Sequence, residues 1–452
     1  MSTTVVSAEL ASYFEKLGLF LPLQGEKRRI SPSSLSPSHF TSPNFIDGTR
    51  VFSSASIHEA QEFIEIPLVL QSRETAEIVG FGSEKAQSIW NSWQGVPDDE
   101  KSDEGFLQFL LDFIRDHTGP EQAINSEDDW SAYMDSIGIS DRLKTAILLP
   151  EYEIIRYTAS CQHWLIDSVE WTYRSLQYLQ ERFATVADHL KSTGFKVDEK
   201  ERVRRASSPS KFPSLPSPTH RKPQNAKEEP ATPVPDSNGT KLYRATTAVR
   251  ARSFYNPKSG LVTEGRFGSF PGDLSGQSAL TYWTPQREVA DMFAGYLKHR
   301  VPIDEIIITE VDVSKELVSS LRRVYLWGEG SNGMNPHFQE FTWSCRNRYQ
   351  KNEMPEYLKY LTKRDLIIAH IFDHKATKYE RMVDWKNIKA SDLLRVEIGG
   401  EEKLAIQWAF RSSYSKNAFN DHCRGRVTQY NLKMLTMAEV TPHPDPIGSY
   451  ST

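Results

Sequence analysis

Residues 280–297, LTYWTPQREVADMFAGYL, decide how the second half of this chain is read. A short β run from Leu280 to Trp283 ends at Thr284, and Pro285 follows. Val289, Met292, Phe293, Tyr296 and Leu297 then fall at the i, i+3, i+4, i+7, i+8 spacing of a half-buried helix. Thr284 suits an N-cap and Pro285 a first helical position, where no amide donor is needed. The stretch therefore reads as strand, cap and helix over 280–283 and 285–299. A strand that ends in polar and aromatic residues at a helix N-terminus can hold an anion or a stacked ring.

Outward from this unit, strands are expected at 241–247, 305–313, 322–327, 339–344, 365–372 and 403–410. Further helices are expected at 315–321 and 353–362. Seven short strands against about three helices indicate an α+β fold with a split or sandwiched mixed sheet. Gly260–Gly276 is a loop rich in Gly, Phe and Arg.

The first half reads differently. Helical patterns run near 57–78, 83–94, 106–116, 128–137, 142–156 and 159–192. In the last, Leu165, Val169, Thr172, Leu176, Leu179, Phe183, Val186 and Leu190 step alternately by four and three, a heptad seam. The other helices need a partner, so the seam is expected to face a bundle interior, making this an N-terminal all-α helical domain. His163 and His189 on that helix read as surface or packed residues, and no catalytic constellation is expected in 1–199.

Between the halves, residues 200–240 carry eight prolines and six serines with almost no aliphatics. Such a composition cannot bury enough apolar surface to offset the entropy of ordering, so a disordered Pro/Ser-rich linker is expected there. The division is then 1–199 helical domain, 200–240 linker, 241–430 α+β domain and 431–452 tail.

Charge follows the same division. Residues 1–199 hold 16 Lys+Arg and 31 Asp+Glu, a net of −15, whereas 241–452 hold 30 and 24, a net of +6. An acidic half is poorly suited to nucleic acid or to an anionic membrane, so neither is expected as a partner. It suits contact with another protein, or with the basic half. No apolar run reaches transmembrane length, and the first twenty residues lack a basic n-region. Three separated cysteines, Cys161, Cys345 and Cys423, fit neither a disulfide framework nor a zinc site. A reducing cytoplasmic location is the expectation. His337, His374 and His422 lack metal-ligand spacing, and there is no Walker loop or GxGxxG.

Three strand signals occur in one order. Leu242-Tyr243-Arg244-Ala245 places an arginine in the opening strand, and Tyr282 and Thr284 close the second. Phe338-Gln339-Glu340-Phe341 places a carboxylate at the head of a later one. An arginine can grip a pyrophosphate or ribose bidentately, and a tyrosine can stack on nicotinamide. A carboxylate can bond a ribose hydroxyl and stabilise the cationic ribose as the base departs.

In this order the chain resembles the ADP-ribosyltransferase-like superfamily over about 241–345. The resemblance implies that Arg244 is the first-strand residue. Tyr282 would be the tyrosine of the Gly-Ile-Tyr-Phe type element of poly(ADP-ribose) polymerases, with Thr284 at the neighbouring hydroxyl position. Tyr296 would be the second stacking tyrosine, although on its own helix it reads as core. Glu340 would be the catalytic glutamate, with Glu310 and Glu329 as alternatives. Phe338 stands where arginine-specific transferases carry Gln or Glu. Tyr243-Arg244, Gly265-Arg266-Phe267 and Tyr282 also resemble the order in RES-type NAD-degrading domains. The implied activity is an NAD-dependent ADP-ribosyltransferase or NAD glycohydrolase, with NAD as substrate and a protein side chain or water as acceptor. The alternative is a catalytically inactive binding module of the same fold, its helical half serving protein interaction.

Overall fold

The structure is a computed structural model. It describes residues 4–16, 19–31, 63–97, 99, 101, 103–116, 127–192, 239–256, 259–263, 272–275, 280–330, 333–346, 354–373, 382 and 384–432. Most of the expected linker, residues 433–452 of the tail, the 32–62 stretch and the Gly265-Arg266-Phe267 motif lie outside these residues.

The chain mixes helices and sheets. In the first half, helices Arg73–Val79 and Asp103–Asp116 pack on the long helix Cys161–Ser192, and Ser83–Gln94, Glu127–Ser136 and Asp141–Leu148 share the same apolar core. The heptad seam is the buried face: Leu165, Val169, Thr172, Leu176, Leu179 and Phe183 are all enclosed. This half is not all-α, however. Lys27–Ile30 and Ile64–Pro67 form an antiparallel pair. The expected helix at 57–78 is reduced, within the described residues, to Arg73–Val79, whose Ser72 cap accepts from the Thr75 amide. Ile64-Glu65-Ile66 alternates apolar and polar, and that period of two prevails over the helical one. The 142–156 helix breaks at Leu149, because the residue before a proline resists the helical conformation and Pro150 opens a separate turn.

Among the described residues of the second half, two sheets of three or more strands form, beside three two-stranded pairs. Thr240–Thr247 and Val427–Asn431 flank Ile306–Val313, all antiparallel. The other sheet runs in the order Thr281–Trp283, Ile406–Phe410, Leu366–His370, Arg323–Leu326, with the last pair parallel. The expected strand at 403–410 is interrupted at Ala405. Its first part, Glu401–Leu404, pairs instead with Arg395–Ile398. The expected helix at 353–362 is a 3₁₀ turn, Glu356–Leu358, followed by the single turn Lys359–Thr362.

The expected strand at 339–344 is a helix, Pro336–Arg346. The buried residues Phe338, Phe341, Thr342 and Cys345 explain why: they repeat at i, i+3, i+4, i+7, one face of a helix. Asn335 supports the start, its side chain accepting from the His337 amide at 3.0 Å. Glu340 therefore stands on a helix and not at the head of a strand.

One apolar cluster joins the halves. Val289, Ala290, Ala294, Tyr296 and Leu297 of helix Arg287–Arg300, with Ile306 and Ile308, share a core with the long helix and its neighbours. Polar pins cross the same boundary. Tyr296 donates to the Ile147 carbonyl at 3.1 Å, and Ser175 to the buried Asp304 carboxylate at 2.9 Å. No described helix is long and apolar enough to cross a membrane.

Candidate functional site

The two sheets of the second half touch at one bridge. The Tyr243 amide donates to the Thr284 carbonyl at 2.7 Å, and the Thr284 amide returns the bond at 3.1 Å. Thr284 is thus a sheet residue and not the helix cap. Its hydroxyl accepts from the Gln286 amide at 3.1 Å, and Gln286 takes the cap position of helix Arg287–Arg300. Beside the bridge, Arg244 donates from Nη1 to the Tyr282 carbonyl at 2.9 Å. Opening strand and second strand are held together here, and the space beside them is a cavity of about 200 Å³.

Arg244, Tyr282 and Thr284 all line that cavity, so three of the five expected site residues come together. Two do not line it. Tyr296 is fully buried, its hydroxyl bonded to Ile147 and its ring packed against Tyr152 and Trp164 at 5.6 and 5.1 Å between centroids. It is a core residue, as its helix spacing suggested. Glu340 lies on the helix Pro336–Arg346. Burial pushes its carboxyl up, partly offset by the nearby His337 and Lys386. Neither alternative glutamate lines the cavity: Glu310 is paired with Lys241, and the exposed Glu329 lies 3.6 Å from Arg395.

The cavity's carboxylates are Asp167 and Asp273. Asp273 is buried, and accepts from Arg346 Nε at 2.8 Å, Gln407 Nε2 at 2.9 Å and the Phe372 amide at 3.0 Å. Arg346 also reaches across to the Thr158 carbonyl at 3.1 Å, tying this wall to the residues preceding the long helix. Next to Asp273, Gly272 lies against Tyr282. A β-carbon there would come within 2.4 Å of the phenol oxygen, so the wall accepts no side chain at this position. The Tyr282 hydroxyl accepts from the Leu274 amide at 3.3 Å, and burial pushes the phenol's pKa well above its ordinary value, so the group stays protonated.

Asp167 comes from the long helix, with His163, Trp164 and Trp171. It accepts from Arg300 Nη1 at 2.8 Å and lies 3.9 Å from Arg250. Burial alone would raise its carboxyl, but Arg300, His163 and Arg250 outweigh it and hold the group below the usual carboxylate range. Arg300 is clamped between the Trp164 and Tyr296 rings at 4.5 and 4.7 Å, and Arg250 lies 4.7 Å from the Trp171 ring. Such stacking shields a guanidinium without removing its charge.

Trp164, Asp167 and Trp171 were not singled out from the sequence, and His163 was expected only as a surface or packed residue. Their signal was present: His163, Asp167 and Trp171 step by four and so share one helical face. The heptad seam on the opposite face was the stronger pattern. Among the described residues no group of three or more His, Cys, Asp or Glu could hold a metal ion. The three cysteines are buried and none forms a disulfide. No protein-family model, curated protein or solved structure matches this chain.

Proposed function

We propose that the cleft binds NAD, in an ADP-ribosyltransferase-like second half, and that it acts as a binding module. The observation that carries this reading is the cavity itself. Arg244, Arg250 and Arg300 surround it, and Tyr243, Tyr282, Trp164 and Trp171 supply flat apolar walls. Arginines suit the phosphates of a dinucleotide, and aromatic rings suit its bases. The volume equals that of about seven waters, room for one ring and its sugar.

The absence of Glu340 from the cavity walls favours binding over cleavage. Stabilising a cationic ribose needs a carboxylate whose charge is not already spent. Asp273 is engaged by Arg346 and Asp167 by Arg300. Cleavage of the nicotinamide–ribose bond, by transfer or hydrolysis, is the second reading. It rests on Arg244, Tyr282 and Thr284 meeting in one cavity in the order the resemblance implies.

Titration of the full chain with NAD by calorimetry, alongside a nicotinamide-release assay, separates the readings. Binding without release is expected. Steady release would move the assignment to an NAD-consuming enzyme, and absence of any binding would remove both. Arg244→Lys should weaken NAD binding, since a point charge replaces a planar fork.

A further inference from the structure

We infer that Asp167, on the long helix of the first half, is a specificity-determining residue that accepts the hydroxyls of the ribose lying in the cavity. This rests on the NAD-binding reading of the same cleft. The helical half would then be one wall of the ligand site.

Four observations lead here. Asp167 lines the cavity, and its side chain keeps 16% of its surface exposed. Its Oδ2 is held by Arg300 at 2.8 Å, which fixes the carboxylate in place. Its Oδ1 accepts no hydrogen bond among the described residues, Arg250 standing at 3.9 Å, too far for one. Finally, an ionised carboxylate only accepts, so whatever meets Oδ1 must be a donor. A cationic donor is disfavoured because Arg244, Arg250 and Arg300 share the walls. A neutral donor remains, and among those of a dinucleotide the ribose vicinal diol presents two O–H groups side by side. Trp171, one turn further along the same face, gives the sugar an apolar flank.

The helix is also rigidly seated at this point. Arg300 bonds Ser168 Oγ at 3.0 Å as well as Asp167, joining the long helix to helix Arg287–Arg300. A carboxylate fixed by its surroundings loses little freedom when it takes a ligand hydroxyl, the condition under which one hydrogen bond discriminates well.

Either ribose of the dinucleotide carries this chemistry, so the test has two arms. Affinities of the full chain are measured for nicotinamide mononucleotide and its 2′-deoxy form, and for ADP and 2′-deoxy-ADP. The arm that discriminates identifies the sugar held in the cavity. A hydrogen bond to a charged acceptor predicts roughly ten- to hundred-fold weaker binding of the deoxy ligand in that arm. In Asp167→Asn the charge is lost, and the discrimination should narrow to roughly two- to ten-fold. Wild-type protein that binds NAD but treats ribo and deoxy ligands alike in both arms overturns the inference and leaves the binding reading standing. Unchanged discrimination in a folded Asp167→Asn variant overturns it equally. Should that variant not fold, the wild-type comparison still decides. Protein that binds none of these ligands removes the inference together with the reading beneath it.

Discussion

Replacing Asp273 by asparagine tests the wall that supports Tyr282. The Asp273 and Arg346 side chains are only 5% and 9% exposed, so their charges meet away from water. Asparagine keeps the shape and one acceptor oxygen, so the Gln407 and Phe372 bonds can persist in part. What it removes is the counter-charge of a buried guanidinium. Breaking such a pair from one side typically costs about 3–5 kcal/mol, because the remaining ion is left uncompensated. Arg346→Met should cost a similar amount for the mirror-image reason. The double variant should lose much less than the two single losses combined, since no buried charge is stranded. Guanidinium titrations of the four proteins at neutral pH, followed by circular dichroism, supply the cycle. A single-variant loss below about 1 kcal/mol would indicate a solvated pair. Strict additivity would show that the two residues do not act on each other. Either result would refute the description of this wall as a charge-locked unit.

Other outcomes follow from the same structure. Glu340→Gln should leave NAD affinity unchanged, because the residue does not line the cavity; any nicotinamide release that fell by roughly 10²–10³-fold in this variant would reinstate Glu340 as the stabilising carboxylate. Burial, with Glu153 and Asp392 adding and Arg346 opposing, pushes the Asp373 carboxyl up to about 7. A carboxyl raised in the fold favours folding below its unfolded value of about 4, and that contribution is lost as pH rises through 7. Unfolding midpoints at pH 5 and pH 8 should therefore differ less in Asp373→Asn than in the parent chain, and an unaltered difference would contradict the assignment. Tyr296→Phe removes the bond to the Ile147 carbonyl and should cost about 1 kcal/mol of stability with ligand affinity unaltered. A selective loss of NAD affinity there would return Tyr296 to the binding surface.

Local pattern made much of this chain legible. The helix after Gln286 announced itself because burial on one face leaves a period of 3.6, and the opening strand and the strand at 306–313 did so by short runs rich in β-branched residues. Arg244, Tyr282 and Thr284 could be grouped in advance because each borders a well-marked strand. The stretch around Glu340 misled for the opposite reason. Gln-Glu-Phe-Thr-Trp-Ser is a six-residue fragment rich in β-formers, and its helical stripe becomes visible only when Phe338 and Cys345 are included. In Glu340 the sequence offered a carboxylate of the right type at the right order along the chain, but order along a chain does not set distance in space.

Periodicity and residue type alone establish the mixture of helix and strand, the seam of the long helix and the arginine-bearing strand. Tertiary structure alone decided that the long helix turns His163, Asp167 and Trp171 toward the sheets. Its seam and its polar–aromatic stripe lie on nearly opposite faces of one cylinder. Which partner covers each face depends on contacts between residues more than a hundred positions apart, such as Asp167 with Arg300, and no local periodicity encodes those.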